Sequence, residues 1–174
     1  MKFDPIVPAA LASLLLLSSG AAFAQVNTAS QSTAGAATII QPISLTVTSS
    51  LSFGTVVRPS SGSGTVVIGN TGDVSTTGGA VVLASSTTSY PSYSVGGEGG
   101  QAITVTFPST MTLTGPGGAT LTVTLTHTAF AANLSGALGS AGTATFTSGG
   151  TLPVTSTTTT GAYTGNYTVT VAYN

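Results

Sequence analysis

Apolar and polar residues alternate along most of this chain beyond its first two dozen positions. Ile43, Leu45, Val47, Leu51, Phe53 and Val57 share one parity; Ser44, Thr46, Thr48, Ser50 and Ser52 share the other. Ile103, Val105 and Phe107 alternate with Ala102, Thr104 and Thr106, and Leu121, Val123 and Leu125 alternate with threonines at 120, 122, 124 and 126. Successive side chains of a strand point to opposite faces, so each run predicts a strand with one buried aliphatic face and one outward hydroxyl face. Ser49-Ser50 softens a join between two strands on one buried face. Shorter runs predict further strands at 65–68, at 80–83 (buried, because the run is unbroken), at 90–95 with Pro91 near the start, and at 144–147 and 152–154. Gly-, Pro- and Ser-rich clusters at 59–64, 69–73, 96–100, 115–118 and 148–150 predict turns. Residues 129–142 are rich in Ala and Gly and predict a long loop, with a short helical turn as the alternative.

The end of the chain carries the clearest alternation. Tyr163, Tyr167, Val169, Val171 and Tyr173 fall on one face, with Gly161 and Gly165 between or before them, and Thr168, Thr170 and Ala172 on the other. This predicts a strand with an aromatic and aliphatic face. Such a strand lies inside a sheet by topology, or offers an edge that something else covers. No helical period occurs after residue 24. Many short alternating strands between turn signals predict an all-β fold, an immunoglobulin-like antiparallel β-sandwich. Disorder is excluded by the strict spacing of Ile, Val, Leu and Phe, and a solenoid by the absence of a fixed repeat.

The first segment reads as a targeting signal. Met1-Lys2 opens it, an apolar run ends in Leu14-Leu-Leu-Leu17, and Ala22-Phe-Ala24 forms a small-x-small cleavage site. The apolar run is shorter than the ~20 residues a membrane span requires. Cleavage is expected between Ala24 and Gln25, with no stable membrane span afterwards. The expected organisation is a signal at 1–24, a flexible extension at 25–38 and a sandwich domain at 39–174.

Charge changes the picture most by its scarcity. Charged residues are 3% of the chain, against roughly 25% in ordinary domains. Beyond residue 24 only Arg58, Asp73 and Glu98 remain, with His127 the one imidazole. No basic face exists for nucleic acid. There is no cysteine, hence no disulfide framework. Scarce charge also removes the usual defence against edge-to-edge association, which a polymer subunit turns to use.

An enzyme reading finds no support. Asp73 and Glu98 both fall in Gly-rich turns, and no Gly-x-Ser-x-Gly elbow accompanies the single histidine. His127 reads as an exposed residue ending a strand. Too few His, Cys and carboxylate groups exist for a metal site, and no cofactor motif occurs. Asn133-Leu-Ser135 and Asn166-Tyr-Thr168 match the glycosylation triplet and read as chance matches.

Gly161 lies twelve residues before the penultimate Tyr173, with alternating apolar residues between. This resembles the C-terminal pattern of chaperone–usher pilins, and Leu51-Ser-Phe-Gly-Thr-Val-Val57 resembles a strand of the same family. The chain is also similar to short, cysteine-free, Thr/Gly-rich exported bacterial domains. The pilin resemblance implies a structural subunit of a surface fimbria, exported to the periplasm of a Gram-negative bacterium and then displayed on the cell. It implies a sandwich lacking one strand and completed by donor-strand exchange. The partners implied are a periplasmic chaperone, an outer-membrane usher, and copies of the chain or related pilins. Carried onto this sequence, Gly161, Tyr163, Tyr167, Val169, Val171 and Tyr173 form the acceptor edge. The donor falls within residues 25–40, with Val26, Ala34, Ala36, Ile39 and Ile40 as its apolar positions. Two features depart from the family pattern: pilins often carry a disulfide, and these donor positions are sparse and of mixed parity. A self-contained secreted or outer-surface sandwich, structural or adhesive, is the alternative.

Overall fold

The computed structural model describes residues 28–127 and 131–174. The expected cleavage residues Ala22, Ala24 and Gln25, and the candidate donor Val26, lie outside them. The chain divides into two compact units, Met1–Ala37 and Thr38–Asn174. In the first, residues 28–37 are exposed and form no regular element.

The second unit is an all-β antiparallel sandwich. In chain order its strands are β1 (Ser44–Ser49), β2 (Val56–Val57), β3 (Ser63–Ile68), β4 (Val74–Thr77), β5 (Val81–Val82) and β6 (Ser92–Glu98). They continue with β7 (Ala102–Thr106), β8 (Thr110–Thr114), β9 (Thr120–His127), β10 (Ala131–Asn133), β11 (Ala141–Thr155) and β12 (Thr170–Tyr173). A 3-10 turn at Pro116–Gly118 links β8 to β9. The largest sheet runs β1-β6-β11-β3-β4, with β9 paired to β11 and β8 to β9. A second sheet runs β10-β7-β12, and β2 pairs β5.

The alternation read from the sequence holds in most strands. Val66 and Ile68 of β3, Ile103 and Val105 of β7, Met111 and Leu113 of β8, and Val123 and Leu125 of β9 all point inward. Their threonine neighbours at 104, 106, 112, 122 and 124 are exposed. Threonine here supplies β-propensity on the solvent face without charge. The interior forms two clusters. One gathers Phe53, Val66, Ile68, Met111, Leu113, Val123, Leu125, Leu152 and Val154; the other gathers Tyr93, Val95, Ile103, Val105, Leu134 and Phe146. Tyr167 packs against both.

Several expectations are corrected. Ser148-Gly-Gly150 is no turn: β11 runs through it as one strand of 15 residues. The strand changes partners there, pairing β6 before it and β9 and β3 after it. The glycines allow close layers: a Cβ on Gly149 would lie 2.3 Å from the Ile68 carbonyl oxygen. Gly96, Gly97 and Glu98 likewise continue β6 and are not a loop. The 129–142 stretch is not all loop, because residues 131–133 pair with β7 and Leu134 is buried. Residues 74–77, for which no element was predicted, add β4 to the edge of β3. Of the 80–83 run only Ala80 is buried; Val81 and Leu83 are exposed, because the two-residue pair β2–β5 has no second layer over that face. Val47 and Val57, expected on a buried face, are 57% and 45% exposed. The last strand is shorter than predicted and begins at Thr170.

Candidate functional site

The exposure of Val47 and Val57 leads to an open groove. β1 bonds β6 on one edge, and β12 bonds β7 on one edge; each is the last strand of its sheet. Both send apolar residues to the same interior cluster: Ile43 and Leu45 from one side, Val169, Val171 and Tyr173 from the other. Among the described residues no strand lies between them. The chain after β1 and the chain before β12 continue the two walls.

The walls run antiparallel. Near one end Tyr173 bonds Gln41. Farther along, Leu45, Val47 and Ser49 face Asn166, Tyr167 and Val169 around a cavity of about 330 Å³. Then residues 50–58 face residues 158–166 around a cavity of about 1040 Å³. Its floor is Phe53, Met111, Leu113, Leu121, Leu152 and Val154. At the far end the Arg58 guanidinium donates from Nη1 to the Thr158 carbonyl oxygen at 2.6 Å. The groove therefore has an apolar floor and two facing walls, tied across at both ends.

Of the acceptor positions proposed from the sequence, Gly161, Tyr163, Tyr167 and Val169 line the two cavities, Tyr173 ties one end, and Val171 packs on the second interior cluster. Tyr163, Tyr167, Val169, Val171 and Tyr173 are half-buried, while Thr168, Thr170 and Ala172 are exposed. The predicted parity is thus present, with the apolar face incompletely covered. Gly161 adopts φ +141° beside Pro116, where any side chain would be strained. Before β12 the tail pairs β8 through Thr114 and Thr164, whose amides and carbonyls bond each other at 2.8 and 3.0 Å. Its other side faces the groove.

Tyr173 is the most tightly held of these residues. Its hydroxyl accepts from the Glu98 amide at 2.7 Å and donates to the Gln41 carbonyl at 2.9 Å. The Gln41 amide donates to Glu98 Oε2 at 3.1 Å, and the Gly139 amide donates to Oε1. Glu98 is 2% exposed, so a chain with almost no charge places one carboxylate in its interior and satisfies it with backbone N–H groups. Sequence reasoning missed this role by assigning Glu98 to a turn. The signal was present: an isolated acid flanked by glycines that permit close packing. A Cβ on Gly97 would lie 2.2 Å from the Tyr173 hydroxyl.

Midway along, the Tyr167 hydroxyl meets that of Tyr93 at 2.5 Å and Ser148 Oγ at 3.4 Å. Burial, and next the bond to Tyr167, push the Tyr93 hydroxyl well above its ordinary pKa. Tyr93 also stacks on Phe146 and meets Phe107 edge-on.

Four of the candidate donor residues fall among the described residues. Ala34 and Ala36 are exposed in the irregular first unit. In the second unit Ile39 is 91% exposed and Ile40 38%. His127 ends β9, exposed, with its ring stacked on Phe107 at 4.5 Å. Asp73 accepts from the Thr71 hydroxyl at 2.5 Å in the turn between β3 and β4. Among the described residues no group of three His, Cys, Asp or Glu could hold a metal, and no helix is long and apolar enough to cross a membrane.

A family model described as "Domain of unknown function (DUF4402)" matches residues 43–173. That span covers both walls of the groove and its floor. Searches of curated proteins and of solved structures find no match.

Proposed function

This chain belongs to the DUF4402 family, and from its open groove we propose that it is a structural subunit of a surface fibre. The groove receives an extended strand from another subunit, in the manner of chaperone–usher pilins. The observation that carries this reading is the pair of outer strands β1 and β12, whose flanking segments, residues 50–58 and 158–166, face each other over an apolar-floored cavity of about 1040 Å³. A strand laid between them gains main-chain hydrogen bonds along either wall. Its inward side chains gain about 1.5–3 kcal/mol each for full burial of a large apolar group. Because the walls are antiparallel, the incoming strand runs parallel to one and antiparallel to the other.

The reading includes export after cleavage at Ala24, transit through the periplasm, and display at the cell surface. A periplasmic chaperone covers the groove before the subunit partner does, and an outer-membrane usher directs the exchange. Scarce charge suits such a joint, since strand pairing and apolar burial need no ions. No enzymatic role is proposed.

The test is the state of the chain on the cell of origin. Surface material is run on a denaturing gel with and without boiling, and probed with an antibody against the chain. The expected result is a high-mass ladder before boiling that collapses to a single band after it, with a mature terminus at Gln25. A chain recovered only as a folded monomer, without a chaperone, would replace this proposal with a self-contained surface domain.

A further inference from the structure

We infer that the strand entering this groove is supplied by a different chain, with bulky apolar residues at alternate positions and a carboxylate at the Arg58 end, and not by residues 25–38 of a second copy. This rests on the strand-acceptor reading above.

The wide end of the groove sets the first requirement. Its cavity of about 1040 Å³ is floored by Phe53, Leu113, Leu152 and their neighbours. Protein interiors are packed to crystal-like density, and an unfilled apolar space forfeits contacts in proportion to its size. The occupant must bring large side chains at spacing two.

Residues 25–38 read Gln-Val-Asn-Thr-Ala-Ser-Gln-Ser-Thr-Ala-Gly-Ala-Ala-Thr. After Val26 they offer no apolar side chain larger than alanine. Reach is not the obstacle, since an extended chain spans about 3.3–3.6 Å per residue, roughly 46–50 Å for this segment. Side-chain volume is. The nearest large residues are Ile39 and Ile40, which are adjacent and so point to opposite faces of a strand. They are also tethered. Gln41 is held at both its amide and its carbonyl, by Glu98 and Tyr173. Ile39 therefore stays within about 7 Å of that anchor on its own domain.

Charge supplies the second requirement. Arg58 is the one cation among the described residues and stands at the wide mouth. Its bond to Thr158 uses one of the five donors of a guanidinium. Residues 25–38 carry no carboxylate.

The test uses the purified exported chain and three peptides of equal length. One is residues 25–38. The second alternates Leu with Thr and ends in Glu. The third has the second's composition with its leucines contiguous. Melting temperature and amide exchange at β1 and β12 are followed. The alternating peptide should raise Tm by roughly 10 °C at saturation and protect both edges. The other two should do neither. If residues 25–38 stabilise and protect as well as the alternating peptide, the inference fails and the acceptor reading stands. Equal action by the contiguous-leucine peptide, or a rise in Tm with the alternating peptide without protection of either edge, would also overturn the inference. If no peptide acts and both edges are already protected, the acceptor reading itself fails.

Discussion

The Tyr173 hydroxyl stands between the Glu98 amide and the Gln41 carbonyl, 2.7 Å from one and 2.9 Å from the other. It ties the end of β12 to the end of β6 and to the chain entering β1. One phenol thus joins both walls of the groove to the sheet beneath, and Gly97 leaves the space that its oxygen occupies.

Replacing Tyr173 by Phe keeps the ring and removes this junction. The part-buried Glu98 amide loses its acceptor and the exposed Gln41 carbonyl its donor, which costs on the order of 1–3 kcal/mol. The melting temperature should fall by several degrees. Tyr163→Phe is the comparator: its hydroxyl reaches only the exposed Thr159 carbonyl, at 2.8 Å, and its loss should cost less than about 1 kcal/mol. Equal losses in the two variants would show that the Tyr173 hydroxyl does not hold the walls.

The parity of the tail gives a second prediction. Val169 is half-buried and lines the narrow part of the groove, while Thr170 is exposed. Val169→Asp should destabilise the free subunit by about 1–3 kcal/mol, the open groove letting water reach the new charge. Thr170→Asp should stay within about 0.5 kcal/mol of the parent. Chemical denaturation of the two variants measures the difference. In a filled groove the Val169→Asp charge would lose that water, so strand uptake should be abolished by this variant and kept by Thr170→Asp. Identical stability and uptake would mean that the strand's parity, or its burial, is misassigned.

The faces of the strands were legible because period-two alternation is a local property, and burial follows it wherever a second layer exists. That is why Ile103, Val105, Val123 and Leu125 lie inside as expected. The partners of a strand are not local. Ser148-Gly-Gly150 has the composition of a turn, yet Gly149 and Gly150 are small because Ile68, Leu51 and Val123 crowd them. Glycine permits a turn and permits close layers, and the sequence does not distinguish these uses. Glu98 was misread for the same reason. The apolar face of the tail could be read from residues 163–173; the wall opposite it could not. Val47 and Leu45 share a parity that says only that both face one side. Whether a strand covers that side is decided by the order of β1 and β12 in two separate sheets.

The pair Tyr93–Tyr167 makes stability depend on alkaline pH. Tyr93 is 3% exposed, and its hydroxyl meets that of Tyr167 at 2.5 Å. Burial is the main cause that raises its pKa in the folded state, and the bond to Tyr167 adds to it. In the unfolded chain the group titrates near 10. Below that pH both states keep the proton, and the contribution to stability is fully present. As pH rises through about 10 the unfolded chain loses its proton while folded Tyr93 keeps it, so unfolding is increasingly favoured. One such group lowers stability by up to about 1.4 kcal/mol per pH unit, until the folded pKa is reached. Denaturant unfolding measured at steps between about pH 8 and 12 should show stability flat at first and falling above 10. Tyr93→Phe should start lower, by about 1 kcal/mol for the lost hydrogen bond, and fall less steeply above pH 10. A slope unchanged by the substitution would place the alkaline sensitivity elsewhere in the chain.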